Sequence, residues 1–376
     1  MGGMCFRLYL DDKAATQDQL DQVDEIVVDQ AMDRTWQARL QILMSTDDKG
    51  TWKGAHPTFV TGFARIRIEV DPGDGTFRAL IDGPIIGTDT AMQSEPGQSR
   101  QTVLVHDDSV LLNRDERAHL LGKKSDHQVA KDLFDGARQH IRTTQIDTTK
   151  PGSDGTATQF QRMTDMQLLR QLARRNGMHA YVLPGDTPGA SIGVFKALKT
   201  TPDGKPVLPP LVLVGTDRNM DSFTTREDAQ APATITGQTL SVMDKSISKA
   251  KVSFRNVDIL GAKAAGESVR VGATRILPPG RDGLIDVEAA VKGAAERHSY
   301  SFMASGRVST GMYPAVLSPY RVVTVKGVKE EHCGDYVIKS VNHRLTRSVY
   351  AQAFELTRNG RSAAAGGGGL SMPGIT

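Results

Sequence analysis

The stretch TDMQLLRQLARRNGMHAYVL, residues 164–183, reads as one complete helix–turn–strand unit, and the rest of the chain is read outward from it. Thr164 is placed to cap a helix, and Gln167, three residues on, completes a capping box. Met166, Leu169, Leu172 and Ala173 recur at helical spacing, with Leu168 widening the apolar stripe. Arg170, Arg174 and Arg175 take the opposite, wet side. The last two lie near the helix C-terminus, where positive charge suits the dipole. Gly177 after Asn176 is the natural left-handed stop. Met178, Ala180 and Val182 then alternate with His179, Tyr181 and Leu183, the period of a strand. Nothing in this unit is catalytic by chemistry; it is a packing unit in a chain otherwise dominated by strands.

With 376 residues, 39% hydrophobic and 24% charged, the chain has room for two or more domains and enough apolar material to fold them. A formal net charge of +3 is too small to point to nucleic acid or an anionic membrane surface. Two cysteines, Cys5 and Cys333, near opposite ends, make no disulfide framework and fit reduced thiols. No apolar run reaches the length of a membrane span. The N-terminus MGGMCFRLYLDD lacks a basic segment followed by an apolar core, and position 6 is Phe where a myristoylation site needs Ser or Thr. The expectation is a protein made and folded in the cytoplasm, with no integral membrane segment and no specific nucleic-acid partner.

The chain up to about Arg117 is β-rich. Residues 25–28 form a short strand, and residues 35–42 alternate with Trp36, Ala38, Leu40 and Ile42 on one face. Residues 63–70 alternate again, Ala64, Ile66, Ile68 and Val70 facing one way and Arg65, Arg67 and Glu69 the other. The turn cluster 71–75, DPGDG, leads back into strands at 77–81, 85–86 and 101–105. Short strands with turns between them suggest a barrel or sandwich. A second capping box, Ser125 to Gln128, opens a helix with Val129, Ala130, Leu133, Phe134 and Ala137 as its stripe. The two boxes share capping chemistry and are not a sequence repeat. Residues 143–158 are a polar loop, 192–198 a partner strand, and 200–210 a Pro/Gly-rich connection. Strand candidates resume at 211–214, 233–242, 249–254, 320–325, 335–342 and 349–357, with a helix at 286–298. Asn359 onward reads as a tail, with a flexible run at Gly366–Gly369.

Three stretches carry a resemblance. The 164–183 unit resembles an aspartate-initiated helix that ends in an Ala-Arg-x-x-Gly turn and an aromatic strand. Residues 105–112, VHDDSVLL, lead into Ser125-Asp126-His127-Gln128-Val129-Ala130, like the end of a first barrel and the helix opening an insertion. Gly334-Asp335-Tyr336-Val337-Ile338, Val341-Asn342-His343, Tyr350 and residues 354–359, FELTRN, resemble the closing hairpin of a second barrel. In this order and spacing the chain resembles the tail hub proteins of contractile phage tails and injection machines, the late control protein D family. Their hub module also begins the valine-glycine-repeat spike proteins of type VI secretion.

The resemblance implies an α+β, mainly β fold with two tail-tube-like β-barrel domains and an inserted α/β domain. The expected divisions are 1–117 for the first barrel, 118–210 for the insertion, 211–360 for the second barrel with a helical insertion near 286–304, and 361–376 for a Gly-rich tail. Two barrels of similar topology, about 20–115 and about 211–358, should pack side by side. As in the family, three subunits would present six barrels in a ring, joining a hexameric tube to a trimeric spike. No spike repeat, lysozyme-like segment or Pro-Ala-Ala-Arg tip is seen, so the spike is expected to be a separate protein. The implied partners are a homotrimer of the chain itself, the tail tube protein, that spike, and baseplate wedge or tape-measure components.

Catalytic readings gain no footing. His106-Asp107-Asp108 lie on a strand, where adjacent residues point to opposite faces and do not converge on one ligand. No His-x-x-x-His or Cys-x-x-Cys pattern occurs, and no glycine-rich stretch carries a Walker lysine. His298, His332 and His343 have no nucleophile beside them, and Tyr336, Tyr350 and Phe354 sit at core spacing. No enzyme, cofactor or metal is expected. The alternatives are a cell-wall hydrolase, which needs a carboxylate pair or a metal site, and a carbohydrate-binding β protein, which needs exposed aromatics where this chain has 5%. The candidate interaction residues are Arg170 and Arg174 on the helix, read as a solvated face or a subunit contact. Leu370, Met372 and Ile375 in the tail are expected to order only against a partner chain.

Overall fold

The computed structural model describes residues 6–362 apart from 55, 96, 123, 152–158, 202–206, 241–244, 269–271, 278–285, 310 and 348. The fold is mainly β, 46% strand against 17% helix. The first half supplies β1 (Phe6–Leu10), α1 (Gln17–Gln22), β2 (Val23–Ala31), β3 (Gln37–Leu43), β4 (Arg65–Val70), β5 (Arg78–Ala91) and β6 (Arg100–His106). The middle holds β7 (Glu116–Gly122), α2 (Asp126–Asp135), β8 (Ile141–Ile146), β9 (Gln159–Thr164), α3 (Asp165–Arg175), β10 (Met178–Pro184) and β11 (Ser191–Ala197). The second half supplies β12 (Leu211–Val212), β13 (Ser222–Glu227), β14 (Ala233–Leu240), β15 (Ile247–Val252), β16 (Ala273–Ile276), α4 (Val287–Ser299), β17 (Phe302–Ser309), β18 (Val322–Lys326), β19 (Gly334–Leu345) and β20 (Tyr350–Arg358).

Local chemistry builds the middle as its sequence predicts. Thr164 Oγ1 accepts from Gln167 N while the Gln167 side chain returns to the cap, and Ser125 and Gln128 repeat the box at α2. Met166, Leu168, Leu169, Leu172 and Ala173 are buried in one cluster with Val129, Phe134, Val182 and Phe195. Gly177 holds a φ of 68°, which a side chain would resist. Residues 143–146, read from sequence as the start of a polar loop, instead belong to β8, parallel to β11. Their polar side chains hid the strand, because only one of its faces is covered.

Thirteen strands join in one sheet, along the path β13-β17-β20-β19-β2-β3-β6-β5-β4-β1 and the two-residue strand Lys13–Ala14, with β18 on β19 and β12 on β18. The two halves are thus joined by a hydrogen-bonded ladder, β19 antiparallel to β2, with Asn342 opposite Asp29. Each half keeps its own core. One is built on Trp36, Leu40, Ile66, Ile81 and Val105, the other on Val323, Tyr336, Ile338, Phe354 and Leu356.

The four main strands of each half follow one order. In the first half it is β2-β3-β6-β5, and in the second β13-β17-β20-β19: first, second, fourth, third along the chain. The likeness extends to detail. β5 shifts register between Ile85 and Gly87, and β19 between Ile338 and Ser340. Before β4, Phe63 has a φ of 64°, and before β18, Tyr320 has a φ of 67°. Phe63 N donates to Ile85 O and Ile85 N to Ala64 O; Tyr320 N donates to Ile338 O and Ile338 N to Arg321 O.

Two sequence readings are corrected at the C-terminal end. The segment near 286–304 is helical only as α4, and from Phe302 it is β17, a strand of the main sheet. Asn359 does not begin a tail: it is 1% exposed, donates to Asp258 O and Ser299 Oγ, and accepts from Leu260 N. Gly360 and Arg361 then pair with Lys263 and Ala264. Gly366–Gly369, Leu370, Met372 and Ile375 lie outside the described residues.

Candidate interaction surfaces

Arg170 and Arg174 lie where the three parts of the molecule meet. Their helix, α3, packs against α4 at a glycine crossing so close that a Cβ on Gly293 would stand 2.2 Å from Gly177 Cα. Between the helices lies an open cleft of about 600 Å³, lined by Gln167, Arg170, Arg174, Arg175, Ala290 and Arg297 among others. Arg175 is committed, its Nε donating to Asp126 at 2.6 Å. Burial, and then the charge of Arg174, push the Arg297 pKa down. On the inner side stand Asp33 from the first half, His179 from β10 and Tyr320 from the second half. His179 Nδ1 is 2.9 Å from Asp33 Oδ1, Asp33 N donates to Tyr320 Oη at 2.7 Å, and Tyr320 stacks on Tyr181 at 3.7 Å. Burial opposes ionisation of Asp33, but the His179 hydrogen bond and the charges of His179, Arg174 and Arg170 hold its carboxyl below the usual range. The two arginines predicted from α3 are therefore brought together at a joint. Asp33, Tyr320 and Arg297 come from distant sequence and could not be read with them.

A second cluster escaped the sequence reading. Arg65, Arg67 and Glu69 do face away from the apolar core, but β4 is buried on both faces. Arg65 donates to Asp108 at 2.7 and 2.9 Å and to Asp82 at 2.6 Å. Arg67 donates to Glu69 at 2.7 Å and to Gly185 O at 2.7 Å. From the middle of the chain, Gly189 N donates to Asp82 at 2.9 Å and Ser191 Oγ to Asp108 at 2.7 Å. Burial, then the Arg65 charge, lower the His140 pKa beside it. The cluster clamps the β10–β11 loop onto the first half. The one sequence signal was Asp82 inside the apolar run LIDGPII.

His106, Asp107 and Asp108 do not converge, as their spacing implied. Asp107 accepts from Trp36 N and Ser109 N and caps a 3₁₀ turn, with burial raising its pKa to about 6, while Asp108 holds Arg65. Among the described residues no group of three His, Cys, Asp or Glu side chains could hold a metal, and no helix is long and apolar enough to cross a membrane.

The third surface is the open face of the sheet at the β19–β2 seam, a cleft of about 690 Å³ lined mostly by polar side chains. Asp29, Arg34, Arg307 and Glu355 carry its charge, and further ion pairs flank it. Arg39 pairs with Asp29, Arg344 with Glu25, and Asn342 Nδ2 donates to Asp29.

No family model and no curated protein matches the chain in sequence. Solved structures do match in shape. The 43 kDa tail protein of prophage MuSo2 from Shewanella oneidensis superposes with a TM-score of 0.64 at 14% identity, over 94% of this chain and 97% of that one. The tail protein from Neisseria meningitidis MC58 gives 0.59 at 13% identity, over 95% and 96%. This chain has the fold of phage tail proteins. The same tail-protein fold extends to an E. coli type VI secretion component, c3393, described as similar to T4 tail proteins gp27 and gp5. It matches with a TM-score of 0.54 at 12% identity, over 91% of this chain and 76% of that one.

Proposed function

We propose that this chain is a structural component of a contractile tail or injection system: the baseplate hub, a homotrimer that joins a hexameric tube to a trimeric spike. The observation that carries the reading is the repeat of one four-strand order in both halves of a single sheet. Two like units per chain and three chains give a ring with six like positions on which a hexameric tube stacks without symmetry mismatch, while the trimer keeps threefold symmetry for the spike. In this reading residues 1–117 and 211–360 are tube-like barrels, residues 118–210 are the insertion, and the polar open face lines the channel. Arg170 and Arg174 brace the joint and present charge to a baseplate neighbour, and Leu370, Met372 and Ile375 contact the spike. Baseplate wedge or tape-measure proteins complete the partners, and the role is not enzymatic.

Light scattering on the size-fractionated protein tests this. A species near three times the 40.7 kDa chain mass is expected at micromolar concentration. A protein that stays monomeric, or forms only dimers, would overturn the hub reading.

A further inference from the structure

Among the described residues, the sheet that joins the two halves leaves one side of β13 and one side of the distal part of β5 open, and the internal seam specifies how they meet. Among the described residues β13 pairs only with β17. The distal part of β5, residues 87–91, pairs only with β6, because β4 ends its ladder on β5 at Pro84. At the seam the third strand of the second half, β19, pairs with the first strand of the first half, β2. The strands left open are thus the third strand of the first half, β5, and the first strand of the second half, β13. They are the same two members of the repeat, left without each other.

We propose that a second copy of this chain supplies the missing neighbour: residues 87–91 of one subunit pair antiparallel with β13 of the next, in the register of the internal seam. This rests on the trimeric reading above and gives it its contact. The shared register shift equates Ile85 with Ile338, Gly87 with Ser340 and Asp89 with Asn342. The ladders of the second strands equate Ile26 with Phe223, Val27 with Thr224 and Asp29 with Arg226. At the seam Asn342 lies opposite Asp29, and its side chain donates to that carboxylate. The equivalent contact between copies sets Asp89 opposite Arg226 of the partner subunit, an anion facing a cation. Asp89 and Arg226 are both exposed, with no ion pair among the described residues. Three residues on, the seam buries Leu345 against Ile26. The equivalent pair is Met92, 60% exposed in the single chain, with Phe223 of the partner subunit. Charge and apolar complementarity thus recur in the order the seam uses them. An unpaired edge is a template for such addition.

Asp89→Arg and Arg226→Asp are surface changes that leave the subunit folded, as its circular dichroism will record. Each alone should raise the concentration for half-assembly about tenfold or more, because like charges then face each other across the edge. Asp89→Arg combined with Arg226→Asp should restore assembly to within about threefold of the parent, since the pair is opposite in sign again. Single variants that assemble like the parent, or a double variant no better than the singles, would overturn the pairing.

Cysteines read the register directly. In a Cys5→Ser, Cys333→Ser background, Ala91→Cys with Thr224→Cys should oxidise to a covalent three-chain species. Ala91→Cys with Ser222→Cys, two residues out of register at about 7–8 Å, should not. Trimers that form at the parent's concentration but fail to cross-link would sink this contact and leave the hub standing. A parent that never trimerises sinks both.

Discussion

Replacing Arg65 with Met should release the middle of the chain from the first half. The Arg65 guanidinium bonds Asp108 twice and Asp82 once, at 2.6–2.9 Å, and both aspartates are at most 1% exposed. Methionine fills most of the aliphatic volume and supplies no charge. Asp82 keeps Arg67 at 3.3 Å and Gly189 N; among the described residues Asp108 keeps only Ser191 Oγ. Asp82 then shares Arg67 with Glu69, and Asp108 loses its arginine. Breaking a buried pair by removing one partner costs about 3–5 kcal/mol. The loss falls on the clamp over residues 185–191, so hydrogen exchange of those amides is the assay. Exchange there should quicken by about a hundredfold or more relative to the parent, since about 2.7 kcal/mol is a factor of 100. Arg65→Met with Asp108→Asn should recover part of the loss, because it removes the stranded charge along with its partner. Unchanged exchange at residues 185–191 in Arg65→Met would refute the argument that this charge cluster holds the parts together.

Other changes probe the same architecture. Leu169→Asp or Leu172→Asp places an unpaired charge in the cluster under α3, at a cost of several kcal/mol, and soluble expression should be lost; a normal yield with an unchanged melting profile would show the stripe is not buried. Gly293→Val drives a side chain into Gly177 and should cost about 1–3 kcal/mol by overpacking, read as a lower midpoint in urea. His343 is buried between Tyr350 Oη and Gln30 Oε1, and burial lowers its pKa from 6.5 to about 3. The unfolded chain therefore takes up the proton first, so the stability owed to neutral His343 is full above pH 6.5 and falls as pH drops toward 3, by about 1.4 kcal/mol per unit. Asp107, raised from 3.8 to about 6, acts with the opposite sign between those values, so the readout is the difference between parent and His343→Gln. Stability of the variant relative to the parent should rise as pH falls from 6 to 4, and parallel pH profiles would count against a neutral buried His343.

What this sequence determined by itself was local. The capping boxes at Ser125 and Thr164, the glycine stop at Gly177 and the alternating strands from Trp36 to Ile42 and from Ala64 to Val70 are set within a few residues of chain, and the structure holds them. The tertiary structure decided which faces were covered. Arg65, Arg67 and Glu69 alternate as a wet face would, yet they are buried because a loop more than a hundred residues away closes over them. β8 and β13 carry too few apolar side chains to announce a strand, since each leaves one side open. The detailed likeness of the two halves was hidden for a related reason. What they share is backbone: a register shift, a positive φ, a strand order. Phe63 and Tyr320, or Asp89 and Asn342, can differ in side chain while holding equivalent places, because a hydrogen-bonded ladder constrains the main chain and leaves the side chains to whatever each half must bury.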